Sequence, residues 1–247
     1  MNPESIRAKL ETRVVGGTIV CVETCASTND LAWKEALAGA PDGTAIFAEE
    51  QTQGRGRFGR AWIAPKGKSI LCSLILRPEI DVDRVPLITA LGALAVADVV
   101  GDEARIRFPN DVMVEGKKIA GILVEARFIS SRPDVFIVGI GLNVNAHPPG
   151  MGATSLGSKV SRASTARALL EAVDAWYARL GGSLREYRKA WKDRSFILRR
   201  RVRIRRHGKT VQGVVDDIDP LDGLVVRLDS GHLATFRGEH VEHLEVL

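Results

Sequence analysis

Between two apolar runs of this chain, Thr44–Ala48 and Ser69–Leu76, lies a segment that neither helix nor strand can use. Gly54 to Lys68 holds four glycines, one proline and five basic residues. Glycine withholds the side chains that a regular element would pack, and the cations hold the backbone near water. The two flanking runs are too apolar to stay in solvent and read as strands. An unusually charged loop is therefore fixed at both ends by buried strands.

The remaining elements are read around that constraint. Val14–Val22 is short and β-branched, so it reads as a strand. Ser27-Thr28, an acidic first turn and Gly39 frame a helix. Asp83 caps a long amphipathic helix, with Leu87, Leu91, Leu94 and Ala95 at helical spacing and Gly101 as its stop. ARIRF (Ala104–Phe108) and Asp111–Val114 read as strands, and the Glu115-Gly116 turn leads into another over Lys117–Phe128. Asp134–Asn143 is a buried strand, His147–Gly157 a Pro/Gly-rich loop, and Ser161–Leu180 and Ser183–Arg194 two helices. From Leu198 on, short alternating strands with turns at Asp219–Gly223 and Ser230-Gly231 read as a small β-barrel. The fold class is α+β: a mixed-sheet domain over residues 1–195, then a barrel over residues 196–247.

A length of 247 residues fits one large domain with a small appendage, at about 150 residues per domain. No apolar run approaches the roughly 18 residues of a membrane span, and the N-terminus lacks a basic-then-apolar leader pattern. Cys21, Cys25 and Cys72 form no CxxC pair, which argues against a disulfide framework or a zinc knuckle and for core packing. A cytoplasmic protein is expected. The net charge is +5, but its placement matters more. Arg194 to Lys209 carries no carboxylate, whereas acidic residues dominate from Asp216 onward, so the two segments can neutralise each other.

The glycine loop formally offers two nucleotide fingerprints, and both fail on context. Gly54, Gly56 and Gly59 satisfy G-x-G-x-x-G, with Glu79 as a distant acid, but a loop and a strand follow instead of a helix. Gly67-Lys68-Ser69 resembles the end of a Walker A loop, yet Trp62 stands where its first glycine belongs. What remains is a glycine loop carrying Arg55, Arg57 and Arg60. Its backbone N–H groups and guanidinium forks suit an anion, though a plain basic surface loop has the same composition.

Four segments, taken in order, widen the reading: STND (Ser27–Asp30), QTQGRGRFGRAW (Gln51–Trp62), PNDVMVEGKKIAGILVEA (Pro109–Ala126) and GIGLNVN (Gly139–Asn145). Together they closely resemble the catalytic domain of biotin protein ligases, and the final β segment resembles that family's SH3-like C-terminal domain. The resemblance covers the chain from Gly17 onward. It implies a two-step reaction in which biotin and ATP give biotinyl-5′-AMP, and a lysine of a biotin carboxyl carrier protein then takes the biotinyl group. ATP with Mg²⁺ and biotin are the implied small molecules, with no metal held by the protein itself.

The resemblance also assigns residues. Lys118, Arg57 and Asp111 are the implied catalytic group, the cations neutralising carboxylate and phosphate and Asp111 orienting, and helping to deprotonate, the incoming lysine. Ser27, Thr28, Asn29, Gln51, Gly54, Arg55, Gly56, Arg57, Lys118, Gly121 and Gly141 are the implied biotin contacts. Arg57, Arg60, Trp62, Asn110, Lys118 and Asn143 are the implied nucleotide contacts. Plainer roles stand beside these: helix N-cap for Thr28, an Asx-turn for Asp111, a turn residue for Asn143, a solvated hairpin lysine for Lys117.

The chain departs from the family where Lys-Trp-Pro-Asn-Asp is usual and Arg107-Phe108-Pro109-Asn110-Asp111 stands instead. Guanidinium and ammonium are not interchangeable at a tight site, so the pocket's detail is affected. About sixteen residues precede the first strand, too few for the winged helix-turn-helix some family members carry, so a ligase without DNA binding is expected. Whether it pairs as a homodimer is left open. A lipoate or octanoate ligase is the nearest rival, but its Arg-Arg-x-Gly-Gly-Gly signature is not found. A nucleic-acid-binding protein using Arg199–Arg206 is the rival of another class. Against it, Val202 and Ile204 would point into a barrel, and aromatic residues are only 5% of the chain.

Overall fold

The computed structural model describes residues Met1–Leu247. A seven-stranded mixed sheet is built from β1 (Ile19–Cys25), β2 (Thr44–Gln51), β3 (Ser69–Leu76), β4 (Arg105–Arg107), β5 (Asp111–Val114), β6 (Lys117–Ile129) and β7 (Arg132–Asn143). Their order is β1-β2-β3-β7-β6-β5-β4, with only the β1–β2 pair parallel. After a short α1 (Pro3–Arg7), the helices are α2 (Thr28–Leu37), α3 (Pro86–Val100), α4 (Arg162–Tyr177) and α5 (Arg185–Asp193). A second, antiparallel sheet follows: β8 (Arg201–Arg206), β9 (Lys209–Asp219), β10 (Gly223–Leu228), β11 (Leu233–Phe236) and β12 (His243–Val246), in the order β11-β10-β9-β8-β12. The α+β class and the small C-terminal β unit are as the sequence implies. The hydrogen-bonded order of that unit is open, with β11 and β12 at its ends, rather than a closed barrel.

Two elements, the segment at Val14 and helix α3, differ from expectation. Val14 and Val15 are not in a strand. The Asp174 carboxylate on α4 accepts the N–H groups of Arg13, Val14 and Val15, each at 2.9 Å, and holds them as a turn before β1. Asp83 does not cap α3: it lies in a 3₁₀ turn, and Val85 precedes the Pro86 that opens the helix. Nor is α3 amphipathic, since it is buried all round from Leu87 to Ala97. One side meets the sheet so closely that a Cβ at Gly92 would stand 3.1 Å from Ile122, and α4 covers another. The Gly101 stop is as read, at φ 100°.

β2 also runs beyond Ala48 as far as Gln51, which brings Gln51 to the sheet's working face. In the second sheet Val202 and Ile204 are fully buried, as alternation requires, and the arginines between them are ion-paired. Arg201 meets Asp229 at 2.7 Å, Arg203 meets Glu245 at 2.6 Å, and Arg205 meets Glu242 at 3.2 Å.

The Asp174 capture is testable on its own. Asp174→Ala leaves three backbone N–H groups without their acceptor near the core edge, so stability should fall by about 2–4 kcal/mol. Urea unfolding monitored by tryptophan fluorescence measures it, and a loss below about 0.5 kcal/mol would show the carboxylate to be dispensable.

Candidate active site

Strand register lays the floor of the cavity. Asp111 pairs with Gly121, Gly121 with Gly141, and Gly141 with Leu71, a row across β5, β6, β7 and β3. Two residues along, Leu123, Gly139 and Ser73 form a second row on the same face. The glycines in these rows leave room for what lies on top. A Cβ at Gly121 would stand 3.2 Å from the Trp62 ring, one at Gly141 would collide with the indole, and one at Gly139 with the Asn29 carboxamide. Trp62 thus lies on the backbone of two strands, with the Lys118 ammonium 5.3 Å from the ring centre.

One end of the cavity is polar and uncharged. Ser27 is the N-cap of α2, accepting from the Asn29 N–H at 3.3 Å, which answers the question of which hydroxyl caps the helix. Thr28, the first helical residue, is left free. Its N–H and hydroxyl donate to Gln51 Oε1 at 2.7 and 2.9 Å. Ser73, fully buried on β3, lies 2.7 Å from Thr28 Oγ1 and 2.6 Å from the Asn29 carboxamide.

The other end is cationic. Asp111 sits between Lys118 Nζ at 2.5 Å and Arg107 at 2.6 Å. Burial pushes its carboxyl up, but the two cations outweigh burial and hold it below the ordinary aspartate value. The carboxylate takes side-chain cations and caps no turn. Arg55 forms a two-pronged pair with Asp30 at 2.8 and 2.6 Å; the hydrogen bond to Asp30 raises the guanidinium's pKa and lowers that of the acid. Arg57 donates to the Gly238 and Val241 carbonyls at 2.6 and 3.2 Å, and Arg60 to the Glu242 carbonyl at 2.6 Å. Burial, and then the neighbouring Arg60, push Arg57 below the ordinary arginine value. The glycine loop is thus tied to the second sheet.

These groups enclose a cavity of about 140 Å³. Of the residues singled out from sequence, Ser27, Thr28, Asn29, Gln51, Arg55, Gly56, Arg57, Arg60, Trp62, Asn110, Asp111, Lys118, Gly121 and Gly141 line it. Two do not. Gly54 lies under the loop, where a Cβ would stand 2.5 Å from the Trp62 carbonyl. Asn143 is buried and donates to the Thr154 carbonyl at 3.1 Å, a bond that ties down the following loop. Lys117 is exposed, on the far side of β6 from the cavity. Leu71, Cys72, Leu123, Gly139 and Ile140 also line the cavity but were not foreseen. For Gly139 the signal was present, since Gly139 and Gly141 two apart on a strand share a face.

Residues 21–143 match the biotin/lipoate A/B protein ligase family. A biotin–[acetyl-CoA-carboxylase] ligase of Paracoccus denitrificans is 33% identical over 226 residues, which cover 83% of this chain and 92% of that protein. The chain belongs to the biotin/lipoate A/B protein ligase family. The bifunctional ligase/repressor BirA of Bacillus subtilis is 38% identical over 152 residues, but those cover only 47% of it, so the chain spans about half that relative's length. Among solved structures, the biotin protein ligase of Aquifex aeolicus in complex with biotin and ATP shares the fold. Its TM-score is 0.76 at 24% identity, over 94% of this chain and 100% of that one. For a biotin/lipoate ligase family member, the four sequence segments now fall on one cavity.

The Asp111 pairing has a pH signature. Because its folded-state pKa is lowered, the stability it contributes is fully present above the unfolded value and lost as pH falls through the folded one. Carboxyl ¹³C NMR should place its midpoint below about 3.9, and a midpoint above about 4.5 would mean the cations do not hold it.

Proposed function

We propose that this chain activates biotin with ATP and passes the biotinyl group to a lysine of a biotin carboxyl carrier protein. The observation that carries the reading is the arrangement of one cavity. A neutral hydrogen-bonding end formed by Ser27, Thr28, Asn29 and Gln51 faces a cationic end formed by Arg57, Arg60 and Lys118, with Trp62 over a glycine floor between them. A ligand with a polar, uncharged ring at one end and a carboxylate at the other fits that polarity.

In the first step a biotin carboxylate oxygen attacks the α-phosphorus of ATP, and pyrophosphate leaves. Both partners are anions, so Lys118 and Arg57 act by neutralising them where they meet. Mg²⁺ neutralises phosphate charge when bound. Such an ion would come bound to the nucleotide's phosphates. In the second step the carrier's lysine, as the neutral amine, attacks the acyl carbon; the acyl C–O bond to the phosphate breaks, AMP leaves, and the proton shed by the nitrogen goes to the departing phosphate or to solvent. Asp111, paired with both Lys118 and Arg107, orients these two cations.

The catalytic part is assigned to residues 1–195 and the SH3-like part to residues 196–247. A subunit of acetyl-CoA carboxylase is the proposed carrier, and the cytoplasm, where ATP and such a carrier meet, the proposed location. Arginines 201, 203 and 205 are already ion-paired within the second sheet, which favours a structural role over nucleic-acid binding.

The decisive experiment incubates the protein with Mg-ATP and either biotin, lipoate or octanoate, and identifies the adenylate by mass spectrometry. Biotinyl-5′-AMP should form fastest; faster turnover of lipoate or octanoate would overturn the reading. Lys118→Ala should slow adenylate formation by about 10²-fold or more, because an uncompensated pair of anions remains. Lys117→Ala should be nearly silent, and equal losses at the two positions would remove Lys118 from the catalytic group.

A further inference from the structure

The neutral end of the cavity contains four short contacts and too few hydroxyl protons for the obvious arrangement. Gln51 Oε1 accepts the Thr28 backbone N–H at 2.7 Å, which fixes that atom as oxygen. Thr28 Oγ1 lies 2.9 Å from it, so the Thr28 hydroxyl proton must point there. Thr28 Oγ1 also lies 2.7 Å from Ser73 Oγ, and with its own proton already committed it accepts that of Ser73. Ser73 then has no proton left for the atom of Asn29 that stands 2.6 Å away. If that atom were oxygen, two lone pairs would face each other in a site closed to water. If it is nitrogen, every contact carries one proton.

The same count removes a second difficulty. With oxygen toward Ser73, the Asn29 NH₂ group is buried and donates to nothing. Reversing the carboxamide gives the nitrogen a partner and leaves the oxygen as the buried atom without a protein partner, an acceptor orphan in place of a donor one. The O and N of an amide are assigned by the bonds they make, and here the protons make the choice.

We propose that Ser73 is a positioning residue that locks the Asn29 carboxamide with Nδ2 on the Ser73 hydroxyl, so that Asn29 offers the cavity a hydrogen-bond acceptor. Ser73 itself does not line the cavity; it acts through Asn29 and Thr28. The direction of the relay sets what the neutral end reads. Asn29 Oδ1 accepts an N–H from the ligand, while Gln51, its oxygen engaged by Thr28, has only its Nε2 donor left to offer. A ring bearing N–H beside C=O satisfies both, whereas a ring with oxygen or sulfur in place of that N–H sets a lone pair against Asn29. The ligand in this argument rests on the biotin reading; the amide orientation does not.

Two measurements test it. The first uses the ligand-free protein labelled with ¹⁵N-asparagine, its Asn29 signal identified by its loss in Asn29→Ala. The side-chain NH₂ protons should show NOEs to the Ser73 Hβ protons and slow exchange. NOEs placing them away from Ser73 would overturn the orientation. The second compares binding of biotin with its two carbamate analogues, in which one or the other ureido N–H is replaced by ring oxygen. The parent should reject one analogue by about 10²-fold, on the scale of an unpaired buried polar group, and Ser73→Ala should cut that ratio to within about 10-fold by freeing the amide to rotate. If Ser73→Ala weakens biotin and both analogues by one common factor, Ser73 is merely structural and the proposal fails. If the parent binds no biotin while the NOEs to Ser73 are present, the biotin reading has failed and the amide assignment stands.

Discussion

An aromatic ring can lie flat on a β-sheet only where the strands beneath it carry no side chains on that face. Gly121 and Gly141, paired across β6 and β7, meet that condition under Trp62. Much of the site follows from it. With the indole down, the loop from Gly54 to Trp62 closes on itself through the Trp62 N–H to Gly54 bond at 2.9 Å and brings Arg55, Arg57 and Arg60 over the sheet. Gly139, in the next row, does for the Asn29 carboxamide what Gly141 does for the indole. The floor therefore sets the depth of both the neutral and the cationic end.

Electrostatically, the cavity is poised rather than bare. Five cations stand at or beside it, and each is engaged: Arg55 by Asp30, Arg57 and Arg60 by backbone carbonyls, Arg107 and Lys118 by Asp111. An anionic ligand competes with carbonyl oxygens for Arg57 and Arg60, but with carboxylates for the other three. Releasing a guanidinium from a neutral carbonyl costs less than separating it from a carboxylate, since charge-assisted bonds are about twice as strong. The two loop arginines bound to carbonyls are thus the ones most readily recruited.

The legible parts of the sequence were those whose roles are fixed within a few residues. Ser69–Leu76 is bounded as read because a charged loop precedes it and Pro78 follows. The motifs that resemble biotin protein ligases land on the cavity because strand alternation carries Gly121, Gly139 and Gly141 to one face. What was misread depended on distant partners. Val14 and Val15 have β-branched side chains, but a carboxylate on α4 takes their N–H groups. Helix α3 was read as amphipathic from the helical spacing of Leu87, Leu91, Leu94 and Ala95, whereas the sheet and α4 enclose it on both sides. For Asn143 the plainer role held open beside the nucleotide contact, a loop-fixing residue, has a visible partner in the Thr154 carbonyl eleven residues away. The anchoring of Arg57 could not be read at all, because its acceptors are backbone carbonyls, which every residue possesses.

That anchoring has a bearing on how the chain matures as it is made. The acceptor at Gly238 is synthesised 181 residues after Arg57. Chains fold largely from the N-terminus as they emerge, so the floor and the neutral end, complete by the end of β7, are in place long before the carbonyls that hold the loop. A nascent chain passes through a stage with a formed ligand cradle and an untethered cover. Its loop gains these tethers once the second sheet is there to offer the carbonyls, so the tether is a late part of the site to form.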